Sequence, residues 1–378
     1  MKEAFYLYMK QKKVIIALSG GVDSAVACFL LKEKYNNVEA IFMDNWDSFI
    51  NNEFNYQNDE DGCNSKQDYL DALEITKKMN IKLHKVSFTK EYWDQVFEKL
   101  IIGYKNGITP NPDILCNKYI KFKMLLNYVI DNFDADFLAT GHYANIEEKD
   151  GIFYLLQPND KSKDQTYFLS ELNQTQLSKI IFPLANIFKK DVREIAKNNK
   201  FNIWDKKDST GICFIGKRDF QSFLSNYIQP KIGYIIDIEN NKKIGEHNGA
   251  FYYTIGQNKN LNLSGFNSKY YVVKKDIEKN YIYVSKQETY RNSFVKEIIV
   301  SPNFNWISDI PKDFNNIKVI TRHLQKHMNC DIEFNKDKFI IKLKDNILNS
   351  VSEGQHAVLY RDDICLGGSE IINYTNWN

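Results

Sequence analysis

Cysteine is scarce in this sequence, and its spacing excludes one common kind of site. The chain of 378 residues has six cysteines, and no two of them are three positions apart. A Cys-x-x-Cys zinc or redox motif is therefore excluded. So few cysteines in a long chain are typical of a reducing compartment, and we predict a cytoplasmic protein. The cysteines are Cys28, Cys63, Cys116, Cys213, Cys330 and Cys365.

The sequence also lacks an excess of charge of one sign and a long apolar run. The net charge is +2, and only five of the 50 Lys and Arg residues are arginines. A nucleic-acid-binding face would therefore be local, with lysines that contact phosphates rather than arginines that read bases. No apolar run approaches the length that spans a membrane, and the first stretch, MKEAFYLYMKQKK, has no signal-peptide cleavage site. We therefore expect no membrane partner.

Strand-like and helix-like stretches alternate in the first half of the chain. Their order predicts a doubly wound parallel sheet with helices on both faces. Ligands bind such sheets at the carboxyl ends of the strands. A Ser-Gly-Gly loop, Met43 and the stretch Thr140–His142 all follow predicted strands, so they should form one site. The predicted strands are 14–18, 38–43, 82–88 and 137–140, and the predicted helices are 23–34, 65–80, 90–105 and 119–133.

The pattern changes after about Phe220, where strand-like runs dominate. One of these runs is Phe251–Ile255, and turn residues separate the last few. This pattern predicts a small β-rich central domain followed by a C-terminal β-barrel. The predicted domains are 1–219, 220–290 and 291–378.

The segment KVIIALSGGVDS (Lys13–Ser24) joins a buried strand to a helix through two glycines. The N–H groups of such a turn and the positive end of the helix can hold an anion. No Gly-Lys-Ser/Thr follows, so the loop differs from the ordinary P-loop and is better suited to holding pyrophosphate. Asp23 could cap the helix or bind Mg²⁺. From the Gly-Gly pair alone, a plain β–α turn is as good an interpretation.

Two cysteines stand out because of their neighbours. Cys116 follows a proline-containing turn and directly precedes the predicted helix 119–133, where the helix dipole favours a thiolate. Cys213 lies in the glycine-bounded stretch STGICFIG. One of two separated thiols can carry sulfur as a persulfide, and the other can release it by exchange. The alternative is that both are small buried residues, which is our interpretation of the other four cysteines.

The SGGVDS loop resembles the PP-loop of the ATP pyrophosphatase superfamily, whose members split ATP between the α and β phosphates. Further stretches are similar to the tRNA-specific 2-thiouridylase family over nearly the whole chain. This resemblance implies an adenine nucleotide alpha hydrolase-like first domain that carries out catalysis. The stretches are GITPNPDILCNKYIKF (107–122), ATGHYA (139–144), KDQTYFL (163–169), DSTGICFIGKRDF (208–220) and SEGQHAVLY (352–360).

The resemblance implies that the enzyme uses ATP, accompanied by Mg²⁺, to adenylate the C2 oxygen of the wobble uridine of tRNA. A persulfide on Cys213 would then transfer sulfur to C2. Cys116 would release it, either through a transient Cys116–Cys213 disulfide or by liberating sulfide, and Asp113 would be the third catalytic residue. The sulfur would come from a cysteine desulfurase or a relay protein.

The family's binding residues match three groups of positions, and no residue is matched to a metal. At position 323 a histidine stands where the family pattern has tyrosine, which puts that side-chain contact in question. The ATP-binding positions are Ala17, Leu18, Ser19, Gly20, Gly21, Val22, Asp23, Ser24, Met43 and Gly141. The target-base segment is Asn111, Pro112 and Asp113, and the tRNA contacts are His142, Lys163, Asp164, Gln165, Arg322, His323 and Gln355.

Two other functions are compatible with a PP-loop. A PP-loop amide ligase would need no cysteine pair and would carry or recruit a glutaminase, which this sequence does not contain. A non-catalytic tRNA-binding protein would need neither an intact loop nor the two cysteines. Lysines such as Lys189 and Lys190 could form a phosphate-binding face in any of these proteins, although a solvated helix surface is an equal alternative.

Overall fold

The computed structural model describes residues 8, 10–46, 65–208, 220–263, 267–345, 348 and 350–376. Cys63 and Cys213 lie outside these residues, as do the other residues of 209–219. No helix of the described residues is long and apolar enough to cross a membrane.

The first half of the chain forms the predicted parallel sheet, which has five strands in the order β3-β2-β1-β4-β7. In β1, Val14 and Ile16 pack against one hydrophobic layer while Ile15 packs against the other, and all three are fully buried. A strand buried on both faces needs an unbroken apolar run rather than alternation. The five strands are β1 Lys13–Leu18, β2 Asn37–Met43, β3 Leu83–Val86, β4 Phe137–Ala139 and β7 Ile180–Ile181.

Helices cover both faces of this sheet, as predicted. The helices Val22–Lys34, Ser65–Met79 and Lys189–Asn198 pack against one face, and the helical region 89–133 packs against the other. Two stretches of that second region, Trp93–Phe97 and Cys116–Leu125, have π-helical hydrogen bonding. The region consists of Thr89–Tyr92, Trp93–Phe97, Glu98–Lys105, Pro112–Leu115, Cys116–Leu125 and Leu126–Phe133; Phe220–Ser225 is a further helix.

The helix predicted over 119–133 begins earlier, at Pro112. Asn111 caps it, because its side chain accepts hydrogen bonds from the backbone N–H groups of Asp113 and Ile114, each at 3.2 Å. Proline is well tolerated at the first helical position, so Pro112 starts the helix rather than ending a turn. The prediction that Cys116 directly precedes a helix is therefore wrong. Cys116 lies beyond the first turn, where the dipole effect has largely fallen off.

The C-terminal region forms a closed barrel of six strands in the order β12-β16-β15-β14-β17-β18, with β18 pairing back to β12. The short strand β13 pairs with β18. The strands are β12 Val295–Val300, β13 Asn305–Trp306, β14 Ile317–Ile320, β15 Met328–Phe334, β16 Phe339–Leu343, β17 His356–Arg361 and β18 Ile364–Asn376.

A hairpin from the first half of the chain extends this barrel. Its strands, β5 Asn145–Lys149 and β6 Ile152–Leu156, were absent from the sequence prediction. Leu155 and Leu156 of β6 pair with Cys365 and Ile364 of β18. The first half of the chain and the barrel therefore share a sheet.

The central region contains a four-stranded sheet in the order β10-β11-β8-β9. The predicted strand Phe251–Ile255 is wrong, because Ala250–Tyr252 is a 3₁₀ turn. The Asn280 side chain accepts a hydrogen bond from the N–H of Ala250 at 2.8 Å and holds this turn. The four strands are β8 Gly233–Asp237, β9 Lys242–His247, β10 Tyr270–Asp276 and β11 Tyr281–Lys286.

Candidate active site

The glycine loop lies between β1 and the helix Val22–Lys34 and has a shape that only small residues allow. Gly20 has φ +73°, and a Cβ atom there would lie 2.3 Å from the carbonyl oxygen of Asp68. The hydroxyl of Ser24 donates to the Gly21 carbonyl at 3.0 Å and accepts from the Ser19 N–H at 3.2 Å. The Ser24 hydroxyl thus braces the loop from inside, and the lack of a side chain at Gly20 lets the loop pack against the backbone of Asp68.

The other predicted nucleotide-binding positions meet the loop at the carboxyl edge of the sheet. Gly141, just beyond β4, packs so closely that a Cβ atom would lie 2.8 Å from the Ser24 nitrogen. Met43 is the last residue of β2. The side chains of Leu18 and Val22 are buried in the core, so these two residues can offer only their backbone to a ligand. A glycine-lined cradle at a helix N-terminus fits the phosphates of a nucleotide.

An ion-pair network that the sequence did not reveal lies beside this loop. The ammonium of Lys189 lies 2.7 Å from both carboxylate oxygens of Asp23 and 2.6 Å from Asp208. Lys163 and Arg193 also contact Asp208, at 2.8 Å and 3.2 Å. Burial acts to raise the pKa of Asp208, but the hydrogen bonds from Lys163 and Lys189 outweigh it and lower the pKa to about 2. Three cations therefore converge on Asp208, and one of them, Lys189, also holds Asp23 beside the loop.

Lys206 is a second residue that sequence reasoning missed. Its ammonium donates to the carbonyl of Gly20 at 3.0 Å and contacts Asp68 at 2.7 Å and Asp71 at 2.5 Å. It thereby ties the glycine loop to the helix Ser65–Met79. The only signal in the sequence was that Lys206 lies two residues before Asp208, which is the first residue of the DSTGICFIGKRDF stretch.

The target-base segment has an unusual polar group. The Oδ1 atom of Asp113 is buried and has no hydrogen-bond partner among the described residues. A buried polar atom without a partner costs free energy, and such atoms in native proteins commonly have a catalytic role or an unseen ligand. A uracil N3–H is a donor that would satisfy this oxygen.

Cys116 lies one helical turn beyond Asp113 and is fully buried next to Ile114 and Ile120. Among the cysteines that the structure describes, no two are joined in a disulfide. The predicted Cys116–Cys213 disulfide falls partly outside the described residues and stays a prediction. Cys28 is confirmed as a packed core residue, because it is fully buried and burial raises its pKa to about 12.

The glycine loop and the cysteine helix are joined through His142. The residue before it, Gly141, contacts Ser24, and the His142 ring lies against Phe122 on the helix Cys116–Leu125, with ring centroids 5.6 Å apart. Burial, with a smaller effect of the Lys121 charge, holds the pKa of His142 well below its usual range. The imidazole is therefore neutral, and its Nδ1 atom is 2.7 Å from the Thr140 hydroxyl.

Most of the other predicted tRNA contacts have partners within the chain. Asp164 accepts hydrogen bonds from the N–H and hydroxyl of Thr166, and Gln165 accepts from the N–H of Tyr143 at 2.9 Å. The His323 ring bonds the Asp164 carbonyl at 2.7 Å. The exposed Arg322 donates to the carbonyl of Ile255 and to the hydroxyl of Ser350.

A parallel sheet with a glycine loop, a cysteine-bearing helix and a C-terminal barrel defines a nucleotide-dependent enzyme of the HUP class with β-rich appended domains. Three family models match in the same order: a tRNA methyl transferase HUP domain over 12–217, a tRNA methyl transferase PRC-barrel domain over 221–286 and an aminomethyltransferase beta-barrel domain over 295–371. These matches confirm the predicted fold class.

The curated relatives narrow this class. The tRNA-specific 2-thiouridylase MnmA of Malacoplasma penetrans is 46% identical over 370 residues, covering 97% of this chain and 100% of its own. The enzyme of the same name from Mycoplasma capricolum is 48% identical, covering 96% and 99%. That of Buchnera aphidicola is 46% identical, covering 96% and 97%. The chain belongs to the tRNA-specific 2-thiouridylase family.

Proposed function

We propose that this protein is an ATP-dependent sulfurtransferase that converts the wobble uridine of tRNA, position 34, to 2-thiouridine. The observation that carries the proposal is a glycine-lined phosphate cradle joined through His142 to a helix that bears Asp113 and Cys116. Neither an amide ligase nor a non-catalytic tRNA-binding protein needs this combination. The full-length similarity to 2-thiouridylases favours the same choice.

The loop residues would hold the phosphates of ATP. The N–H groups of Gly20 and Gly21 and of the first turn of the following helix would be the donors, because the Ser19 N–H already bonds the Ser24 hydroxyl. Met43 and Gly141 would flank them. Bound ATP supplies the adenylyl group that turns the uridine C2 oxygen into a leaving group. Mg²⁺ would accompany the nucleotide phosphates.

Asp113 and the two cysteines would carry out sulfur transfer. The carboxylate of Asp113 accepts from N3–H of the extruded uracil and thereby holds C2 toward the cysteines. The outer sulfur of a Cys213 persulfide attacks C2, and the activated C2–O bond breaks. Cys116 then attacks the inner sulfur, which leaves sulfur on C2 and forms a Cys116–Cys213 disulfide for an external reductant. In the alternative order, Cys116 first releases sulfide, which attacks C2.

Anchored chain on both sides of Cys213 supports this assignment. Asp208 is held by Lys189, which also bonds Asp23. On the C-terminal side of Cys213, the Phe223 ring packs against the Phe97 ring, with ring centroids 5.7 Å apart.

The surface contacts and partners complete the proposal. Lys163 and Arg322 are the exposed candidates for contact with the anticodon loop. His142, Asp164, Gln165 and His323 would instead shape the surface that it meets. The sulfur donor would be a cysteine desulfurase or a relay protein, and the reaction would take place in the cytoplasm with domains divided near 219 and 290.

The decisive experiment is to incubate the protein with ATP, a sulfur donor and tRNA that carries a wobble uridine. Nucleoside mass spectrometry should detect 2-thiouridine. Cys213→Ser should abolish the product and keep tRNA binding, because the persulfide is lost and the binding surface is not. Cys28→Ala, which changes a core cysteine in an alanine-rich helix, is the matched control and should stay active. Turnover by Cys213→Ser would refute the persulfide role.

A further inference from the structure

A turn of the barrel forms hydrogen bonds with the chain at the predicted target-base segment. This clamp turn, residues 353–356, leads into β17. The N–H of Thr109 donates to the Glu353 carbonyl at 2.8 Å, and the Gln355 side-chain NH₂ donates to the Thr109 carbonyl at 2.8 Å. The side-chain NH₂ of Asn111 donates to Oε1 of Gln355 at 3.2 Å. The Gln355 amide thus bridges Thr109 and Asn111, just before Pro112 and Asp113.

The close approach of the clamp turn depends on a glycine. Gly354 has φ +88°, and a Cβ atom there would lie 2.2 Å from the side chain of Ile108 and 2.9 Å from the Thr109 carbonyl carbon. The hydroxyl of Tyr167 lies 3.4 Å from Oε1 of Gln355 and shares its one hydrogen between this oxygen and the carbonyls of Thr321 and His356, at 3.2 Å and 3.3 Å. Donors on the oxygen and an acceptor on the nitrogen fix the orientation of the Gln355 amide.

The next residue of the clamp turn reaches the other side of the catalytic segment. His356 lies 3.1 Å from Glu171, which pairs with Lys118 at 2.7 Å. Burial acts to raise the pKa of Glu171, but His356 and Lys118 outweigh it and hold the pKa below its usual range. Lys118 is two positions beyond Cys116, so the clamp turn braces the chain both before Asp113 and after Cys116.

We propose that Gln355 is a positioning residue for sulfur transfer, which acts on the chemical step through Asn111. This inference rests on the proposed function. Asn111 caps the helix that bears Asp113 and Cys116, and Gln355 fixes the rotation of its amide. Without Gln355 the cap can rotate, and the two catalytic groups shift relative to the uracil. A misplacement of about 1 Å can cost roughly 100-fold in rate.

The test separates the chemical step from binding. In Gln355→Leu, which is close in size and lacks both hydrogen-bonding groups, single-turnover thiolation at saturating tRNA should fall about 30- to 100-fold. The Kd for tRNA should change by less than about threefold. Gln355→Glu keeps an acceptor for Asn111 and should recover part of the rate. A raised Kd with an unchanged rate, or no change in either quantity, would overturn the inference.

Two further variants guard against a general structural effect. The Gln174 amide also bridges the first half of the chain and the barrel, because its NH₂ donates to the carbonyls of Phe153 and Ile307, both at 2.7 Å. Gln174→Leu should keep the single-turnover rate within about threefold of wild type. In an Asn111→Ser background, whose shorter cap loses the bond to Gln355, Gln355→Leu should add little. Additive losses would contradict action through Asn111.

The activity of the wild-type protein distinguishes a failure of the proposed function from a failure of the positioning role of Gln355. Wild-type protein that makes no 2-thiouridine would refute the proposed function. An active wild type matched in rate by Gln355→Leu would refute only the positioning role.

Discussion

Lys189 gives the most direct test of the electrostatics around the glycine loop. Its ammonium neutralises Asp23, in the first turn of the helix after the loop, and Asp208, at the start of the Cys213 motif. Lys189→Met keeps the length of the side chain and removes the charge. The variant leaves two carboxylates without the cation that they share, so we expect lower stability.

The size of the loss follows from burial. Removing one partner of a buried pair costs about 3–5 kcal/mol because the other charge stays buried. The Lys189 side chain is 11% exposed, but Asp23 is 29% and Asp208 is 37% exposed, so water solvates both carboxylates in part. Asp208 also keeps Lys163 and Arg193. We therefore expect a loss of about 1–3 kcal/mol in the free energy of unfolding, or roughly 1–4 °C in Tm for a chain of this length.

The loss should depend on pH in a defined direction. The folded-state pKa of Asp208, about 2, lies below the unfolded value, which is about 4. The stabilisation from this carboxylate is therefore present above about pH 4 and disappears as the pH falls toward 2. The difference in unfolding free energy between wild type and Lys189→Met should be full at pH 7 and shrink between about pH 4 and pH 2.

The assay is thermal unfolding, followed by circular dichroism at several pH values. Lys190→Met is the matched control, because Lys190 is the next residue in the helix, is exposed and lies over the Phe188 ring. The control should unfold within about 0.5 kcal/mol of wild type. If Lys189→Met were as stable as Lys190→Met at pH 7, the network would not contribute to folding and the reasoning would fail.

Two further predictions concern the loop and the sulfur chemistry. Gly20→Ala should weaken ATP binding in equilibrium dialysis and lower the free energy of unfolding by about 1–3 kcal/mol, because the new Cβ meets Asp68 at 2.3 Å. Gly151→Ala is its control, since Gly151 has a similar φ of +79° with nothing within 4 Å, and equal losses would contradict the steric argument. Cys116→Ser should abolish 2-thiouridine in nucleoside mass spectrometry yet keep tRNA-dependent pyrophosphate release, and loss of that release would place Cys116 in the adenylation step instead.

The features that sequence analysis predicted correctly are local ones. The glycine loop was recognised because a strand, a tight turn and a helix follow one another in a dozen residues, and each dictates its own backbone conformation. The carboxyl edge of the sheet followed from the order of elements, since parallel strands all end on the same side. Met43 and Gly141 could therefore be placed at this edge of the sheet without knowledge of any long-range contact.

The features that it missed depend on contacts between distant parts of the chain. Lys189 lies far from Asp23 in sequence, and an exposed lysine in a helix has the same appearance as a buried one. The hairpin that contains Leu155 was missed because its partner, β18, comes about 200 residues later and because β5, the first strand of the hairpin, is polar and largely exposed. The early start of the catalytic helix was missed because Pro112 indicates either a turn or a first helical position, and only the Asn111 cap distinguishes them.

The ion-pair network also explains how a phosphate site works without a lysine in the loop. An ordinary P-loop carries its lysine next to the glycines, where the cation meets the phosphates directly. Here Asp23 follows the glycines instead, and a carboxylate in the first turn would repel a bound phosphate. Lys189, from the helix Lys189–Asn198, neutralises that carboxylate at 2.7 Å. The helix dipole and the loop N–H groups can then attract an anion. Because the same lysine also holds Asp208, the charge that makes the loop able to bind phosphate also anchors the chain that leads to Cys213.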